Sequence, residues 1–175
     1  MKDRAILFDR DGTLIVDRPG NTDPHEIELM PHAADALALA REWGYAVAVV
    51  TNQPGVSEGA IDHVQLFRLH ARIEELVGPI DGWFVCIHGI SDSCECRKPE
   101  PGLILAASAR LGIAPERCTM IGDIGADIEA AQTAGAQAVL VPTSVTRAEE
   151  IASAPIVATD VLDAVRRVVS GTVHP

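Results

Sequence analysis

Two aspartates separated by one residue follow the first apolar run of the chain. Asp9 and Asp11 come directly after the run 5–8, and Gly12 follows them. If the chain leaves extended geometry after the run, both carboxylates can turn toward one ligand. Glycine permits that turn and lets backbone N–H groups approach a phosphate. The motif therefore predicts a site that could hold a phosphate group beside two acids.

Further polar side chains follow two other apolar runs, and a lysine lies in the loop ahead of a helical pattern. They are Thr51 and Asn52, Asp123 with Asp127 one turn later, and Lys98. In parallel α/β sheets ligands bind at the carboxyl ends of the strands, so we expect these side chains to meet there.

Three carboxylates at that edge, from Asp9, Asp11 and Asp123, favour a magnesium ion. Mg²⁺ is a hard cation that prefers oxygen ligands, and it would offset the repulsion between acidic side chains and an anionic substrate. Thr51 could donate a hydrogen bond to a phosphate oxygen, and Lys98 could supply a positive point charge to a phosphoryl group in transfer.

Four soft or borderline ligands lie within eleven positions, in the pattern C-x-H-x5-C-x-C. They are Cys86, His88, Cys94 and Cys96. This is a closed tetrahedral set, which favours a structural Zn²⁺ with no open position for catalysis. The loop leads directly into Arg97 and Lys98, so a zinc ion there would help to place the lysine. The alternative is a set of partly buried free cysteines with a surface histidine.

The elements that must position these residues alternate between short apolar runs and helical periodicities. This predicts an α/β fold, a Rossmann-like three-layer sandwich with helices on both faces of a central parallel sheet, in a single domain over residues 1–175. The predicted strands are 5–8, 45–50, 83–87, 118–121 and 138–141, and the predicted helices are 32–43, 62–77, 102–111, 126–134 and 161–169.

The net charge and the apolar pattern of the chain indicate which kinds of binding partner to expect. The formal net charge of -11 argues against binding to nucleic acid or to a membrane surface, because an anionic protein repels phosphate backbones. No apolar stretch approaches the roughly 18 to 20 residues of a membrane span. The first residues lack the pattern of a secretory signal. We therefore expect a cytoplasmic monomer that acts on a small molecule.

The motifs resemble, in order, the four motifs of the haloacid dehalogenase superfamily of phosphatases. The segment 9–14, with the sequence DRDGTL, resembles the first motif, Thr51 the second and Lys98 the third, while Gly122-Asp123 with Asp127 resembles the fourth. Their order and approximate spacing fit that family along nearly the whole chain. The resemblance implies a haloacid dehalogenase-like fold and a phosphatase activity.

The resemblance also implies a role for each acid. Asp9 would attack phosphorus and form an aspartyl-phosphate. Asp11 would protonate the leaving oxygen and then accept a proton from the hydrolytic water. Asp9 and Asp123 would bind Mg²⁺ through their side chains, and Asp11 would bind it through its backbone carbonyl.

Four further residues receive roles from the same resemblance. Thr51, Asn52 and Lys98 would hold the phosphate. Asp127 would orient Lys98 or a metal-bound water, or simply cap the helix in which it lies.

The cysteine–histidine loop narrows the resemblance to a group with little or no cap domain. This group contains the D-glycero-D-manno-heptose 1,7-bisphosphate phosphatases and the phosphatase domain of the histidinol-phosphate phosphatases. In the heptose enzymes Arg97 would correspond to a ligand of the substrate phosphate, and Arg18 could help it to form a second anion site. The segment 15–23 departs from the expected heptose pattern, and the x5 spacing is closer to the histidinol type.

Four functions remain open at this point. The favoured one is removal of the 7-phosphate from heptose 1,7-bisphosphate, and the second is the same chemistry on histidinol phosphate. The third is a signalling receiver that accepts a phosphoryl group, although its acceptor aspartate would follow the third strand. The fourth is a non-catalytic, zinc-stabilised binding module, which the full set of acids and the lysine disfavour.

Overall fold

Short strands, most of whose residues are buried, form the centre of the molecule. The computed structural model describes residues 2–172. In that part of the chain, five parallel strands form one sheet in the order β3-β2-β1-β4-β5. The strands are β1 (Ala5–Phe8), β2 (Ala46–Asn52), β3 (Gly82–Cys86), β4 (Cys118–Gly122) and β5 (Gln137–Leu140).

Within residues 2–172, six α-helices connect or follow these strands. They are α1 (Ala33–Glu42), α2 (His63–Val77), α3 (Gly102–Leu111), α4 (Gly125–Ala134), α5 (Ala148–Ser153) and α6 (Val161–Val169). Asp62 caps α2 by accepting a hydrogen bond from the backbone N–H of Gln65. The side-chain oxygen of Gln65 in turn accepts a hydrogen bond from the backbone N–H of Asp62, so the helix begins where the sequence predicts.

The strands bury both of their faces, so each face needs a layer of helices. Ile6 and Phe8 of β1 lie in a core formed with residues of α1, α2 and α6. Ala5 and Leu7, which point to the opposite face, lie in a second core formed with residues of α3 and α4. The predicted three-layer α/β arrangement is confirmed.

The register of the sheet brings the strand ends to one edge. Phe8 is level with Val49 on one side and with Ile121 on the other. The chain segments that leave β1, β2 and β4 therefore emerge beside one another.

The connection from β1 to α1 runs from residue 9 to residue 32. Its described residues contain one 3₁₀ turn, Pro24–Glu26, and no inserted domain, in agreement with the expected lack of a cap. Within residues 2–172, moreover, no helix combines the length and the apolar character that crossing a membrane requires.

Candidate active site

Three buried carboxylates meet at the carboxyl edge of the sheet. Asp9 follows β1, Asp123 follows β4, and Asp127 lies in the first turn of α4. One oxygen of each lies within 4.8 Å of the others. This all-oxygen donor set is of the kind that Mg²⁺ prefers.

Lys98 lies between two of these acids. Its Nζ is 2.7 Å from Asp9 Oδ1 and 2.5 Å from Asp127 Oδ1, and it also donates to the carbonyl of Val50 at 2.9 Å. Burial lowers the pKa of Lys98, but Asp127 and Asp9 outweigh burial and raise that pKa above its usual value. The side chain is therefore an ammonium. Asp127 also accepts a weak hydrogen bond from the backbone N–H of Ile124, so it both orients the lysine and caps α4.

One ammonium does not balance the negative charge at this site. Burial raises the pKa of Asp9 to about 8, and the carboxylates of Asp127 and Asp11 add to that rise while Lys98 opposes it. Burial, followed by the charge of Asp127, raises the pKa of Asp123 to about 7. A divalent cation would remove this repulsion, so the residues present fit the magnesium ion that the sequence predicts.

Asp123 is held by a loop that sequence reasoning did not single out. The hydroxyl of Thr146 donates to the Asp123 carbonyl at 2.6 Å, and that of Thr143 lies 3.4 Å from Asp123 Oδ2. On the other side, Gly12 has φ +76°, and a Cβ there would lie 2.3 Å from Asp123 Oδ2. The motif glycine is therefore needed both for the turn and for the close approach of this acid.

Asp11 does not belong to the three-carboxylate cluster but lies in a separate hydrogen-bond network. Arg10 donates to both of its oxygens, at 3.0 and 3.1 Å, and Gln53 Nε2 donates to Asp11 Oδ2 at 2.8 Å. Gln53 Nε2 also donates to Thr51 Oγ1 at 2.9 Å. Sequence reasoning missed Arg10 and Gln53, although each adjoins a residue that it did select.

Asn52 supports the loop that contains Lys98, here called the lysine loop. Its Nδ2 donates to the Lys98 carbonyl at 3.0 Å, and its Oδ1 accepts from the Lys98 backbone N–H at 3.1 Å. The sequence predicts that Asn52 holds phosphate. In the structure, both polar groups of its side chain instead hold the backbone from which Lys98 extends.

The two arginines that the sequence selects for a second anion line the same cavity as Asp9 and Lys98. This cavity has a volume of ≈ 520 Å³. Arg97 donates to the carbonyl of His88 at 3.1 Å, and Arg18 forms an exposed ion pair with Glu28 at 2.8 Å. Both guanidinium groups keep further donors for an anion.

The four predicted zinc ligands lie together beside the lysine loop. The Sγ atoms of Cys86, Cys94 and Cys96 are 3.2 to 3.6 Å apart, and His88 Nδ1 is 3.2 Å from Cys96 Sγ and 3.6 Å from Cys86 Sγ. Tetrahedral Zn²⁺ with bonds of about 2.3 Å to sulfur requires ligand separations of about 3.8 Å. The cluster therefore fits a zinc ion with only small adjustments.

The segment 86–96, here called the zinc loop, forms hydrogen bonds through its backbone to Gln53 and Arg97. The carbonyl of Cys86 accepts a hydrogen bond of 2.6 Å from the N–H of Gln53, and that of His88 accepts the bond from Arg97. Cys118, by contrast, is a buried residue of the core beneath α3 and α4, as the sequence suggests.

Comparisons with known proteins agree with this geometry. A family model described as HAD-hydrolase-like matches residues 95–168. The chain is 36% identical over 145 residues to D-glycero-beta-D-manno-heptose-1,7-bisphosphate 7-phosphatase of Pseudomonas putida, covering 80% of this chain and 83% of that protein. The protein of the same name from Vibrio cholerae is 32% identical, with 94% and 93% covered.

A solved structure extends the likeness to the fold. The D,D-heptose 1,7-bisphosphate phosphatase from B. bronchiseptica, crystallised with magnesium and phosphate, superposes with a TM-score of 0.84 at 26% identity, covering 96% of this chain and 99% of that one. These relatives favour a phosphatase over a signalling receiver or a non-catalytic binding module. The chain therefore belongs to the haloacid dehalogenase superfamily of phosphatases.

Proposed function

We propose that this phosphatase removes the 7-phosphate of D-glycero-D-manno-heptose 1,7-bisphosphate in a magnesium-dependent reaction, through an aspartyl-phosphate on Asp9. The observation that carries the proposal is the position of Asp9, buried at the floor of the cavity between Lys98 and Asp123. The names of the relatives, at more than 30% identity over most of the chain, support this substrate class.

Magnesium would be held by the carboxylates of Asp9 and Asp123 and by the backbone carbonyl of Asp11. When bound, it would neutralise part of the charge on the acids and on the phosphate. The excess of buried carboxylate over ammonium at this edge supports this assignment.

The chemistry of the chain's own residues has two steps. In the first, an oxygen of Asp9 attacks phosphorus, the bond to the sugar oxygen breaks, and Asp11 gives that oxygen a proton. In the second, water attacks the same phosphorus, Asp11 takes its proton, and the bond to Asp9 breaks to release phosphate. Lys98 and the hydroxyl of Thr51 stabilise the charge that develops on the phosphoryl oxygens in both steps.

A bisphosphate needs a second anion site, and Arg97 and Arg18 are proposed to provide it. Both line the cavity that contains Asp9. Arg18 pairs with Glu28 at the surface, where an ion pair contributes little, so a phosphate can replace that partner at small cost. We further propose that residues 1–175 act as one domain and as a monomer.

Histidinol phosphate is the second candidate, because the spacing of the zinc ligands is closer to that of the histidinol type. The cavity is also lined by Asp17 and Glu58, two acids that would suit a cationic amine. The chemistry at Asp9 would be the same for both substrates.

Steady-state phosphate release would separate the two candidates. With Mg²⁺, we expect kcat/KM for heptose 1,7-bisphosphate to exceed that for histidinol phosphate at least about tenfold, which corresponds to about 1.4 kcal/mol of differential binding of the transition state. Arg97→Ala should raise KM for the bisphosphate and leave KM for a sugar monophosphate nearly unchanged. A preference for histidinol phosphate would overturn the proposed substrate.

A further inference from the structure

Arg10, the residue between the two motif acids, is buried although it is an arginine. Only 7% of its surface is exposed. Its guanidinium lies along the carboxylate of Asp11, with Nε donating to Oδ1 at 3.1 Å and to Oδ2 at 3.0 Å, and Nη2 donating to Oδ1 at 3.0 Å. Charge-assisted bonds of this forked kind fix orientation as well as distance.

Gln53 closes the network from the end of β2. Arg10 Nη2 donates to Gln53 Oε1 at 2.8 Å, and Gln53 Nε2 donates to Asp11 Oδ2 at 2.8 Å. The three side chains therefore form a ring, in which both carboxylate oxygens of Asp11 have donors. The further bond from Gln53 to Thr51 joins the ring to the hydroxyl that is proposed to bind the phosphate.

The backbone of Arg10 is fixed as well. Its carbonyl accepts hydrogen bonds from the N–H groups of Leu14 and Ile15, at 2.9 and 3.0 Å, which close the turn of the motif. The guanidinium therefore projects from a turn that two backbone hydrogen bonds close.

His70 of α2 belongs to the environment of the guanidinium. It is stacked on Trp83 with ring centroids 3.9 Å apart. Burial, followed by the charge of Arg10, lowers the pKa of His70 to about 3, so the ring is neutral and does not repel the arginine. Arg10 Nη1 and His70 Nε2 are both buried without a hydrogen-bond partner in residues 2–172, so nothing competes with Asp11 for the guanidinium on that side.

We propose that Arg10 is the positioning residue of the proton shuttle: with Gln53, it fixes the carboxyl group of Asp11 in the orientation that meets the leaving oxygen. The inference rests on the proposed function, because it takes Asp11 as the group that gives this oxygen its proton. Proton transfer needs a short, aligned contact, and a misplacement of about 1 Å can cost about 100-fold in rate. Without the guanidinium, Gln53 is, among the described residues, the one remaining hydrogen-bond donor to the side chain of Asp11.

The test compares two leaving groups. A sugar or other alkyl phosphate needs a proton on its leaving oxygen, whereas p-nitrophenyl phosphate leaves as a stable anion and does not. Because kcat/KM covers the steps up to departure of the leaving group, Arg10→Met should lower it about 100-fold for the alkyl phosphate and only severalfold for the nitrophenyl ester. Arg10→Lys, which keeps the charge but loses the fork, should lie in between.

Controls separate positioning from loss of structure. Arg110→Met, on the exposed side of α3, should leave both rates unchanged. Gln53→Leu removes the second donor to Asp11 and should also lower kcat/KM more for the alkyl phosphate than for the nitrophenyl ester, but by a smaller factor. This variant provides the test if Arg10→Met fails to fold. In Asp11→Asn, adding Arg10→Met should have little further effect on the alkyl phosphate, because the two residues act as a unit.

Equal losses on both substrates would overturn the role of Arg10 and leave it a purely structural residue. The comparison also distinguishes this failure from failure of the proposed function. If Asp11→Asn is selective for the alkyl phosphate and Arg10→Met is not, only the role of Arg10 is wrong. If Asp11→Asn itself shows no selectivity, the proposed proton shuttle is wrong, and the role of Arg10 falls with it.

Discussion

The buried carboxylate of Asp123 should lower the stability of the folded protein when no metal is bound. Its carboxylate is buried beside those of Asp9 and Asp127, while Lys98 contacts only the latter two. An ionised acid in this position is disfavoured by desolvation and by like charge. The metal-free protein should therefore carry an electrostatic cost that magnesium removes.

Asp123→Asn should stabilise the metal-free protein. Because the folded-state pKa of about 7 lies above the ordinary aspartate value, the stability linked to Asp123 is present at low pH and is lost as the pH rises through about 7. We expect the variant to be roughly 2 kcal/mol more stable than the wild type at pH 8, with a smaller gap at pH 5. Thermal unfolding in chelator measures this, and Asp35→Asn, at an exposed position of α1, is the control. If Asp123→Asn were less stable than the wild type at pH 8, the ionised Asp123 would not carry the electrostatic cost described above.

A substitution at Gly12 tests how closely the backbone there approaches Asp123. Gly12 and Gly44 both have positive φ, at +76° and +78°, but a Cβ at Gly44 would meet nothing within 4 Å. Alanine at either position should cost about 1 kcal/mol for the backbone. Only Gly12→Ala should also displace Asp123, and so weaken Mg²⁺ binding and phosphatase activity at least about tenfold. Calorimetric Mg²⁺ titration compares the two variants. Equal Mg²⁺ affinities for Gly12→Ala and Gly44→Ala would show that a side chain at position 12 does not displace Asp123.

At the scale of elements, the sequence predicts the regular parts and misses those that depend on side chains far apart in the chain. In the described part of the chain, all five strands and five of the six α-helices are predicted to within one or two residues, because their buried apolar residues recur regularly. Helix α5 (Ala148–Ser153) is missed because it buries no residue and so has no apolar stripe. The ring of Arg10, Asp11 and Gln53 joins residues 43 positions apart, and only the register of β1 and β2 brings them together.

The zinc loop is the element with the clearest test. The purified protein should contain one zinc ion per chain, and Cys94→Ala should lose it, because three ligands bind far less tightly than a closed set of four. Since the loop supports Arg97 and Lys98, the variant should also lose most of its activity and unfold at a lower temperature. Cys118→Ala, in the core away from the cluster, should keep its zinc. Elemental analysis decides between these outcomes, and zinc retained by Cys94→Ala would contradict the assignment.

At the scale of the whole molecule, a strongly acidic protein places several cationic side chains beside the carboxylates of one cavity. The net charge is -11, yet Arg18, Arg97 and Lys98 line one cavity at the carboxyl edge of the sheet. The parallel topology accounts for this, since it gathers the loops after β1 and β2 and the lysine loop after β3 at that edge. An anionic substrate would therefore be attracted by the cations that line the cavity and not by the net charge of the protein.

One sheet supports both cores, so the chain should unfold as one unit. Every described strand contributes residues to one core or the other, and β1 lies at the centre of both. Urea unfolding followed by far-UV circular dichroism and by fluorescence of Trp43 and Trp83 should give coincident transitions. Two separate transitions would show that the chain contains more than one cooperative unit.

Phosphate release from heptose 1,7-bisphosphate by the wild type and by Asp9→Asn, each with Mg²⁺, tests whether Asp9 is the nucleophile. An amide cannot act as the nucleophile, so the variant should lose at least about a thousandfold in kcat while keeping its fold, and Asp35→Asn should match the wild type. If Asp9→Asn released phosphate at the rate of the wild type, Asp9 would not be the nucleophile.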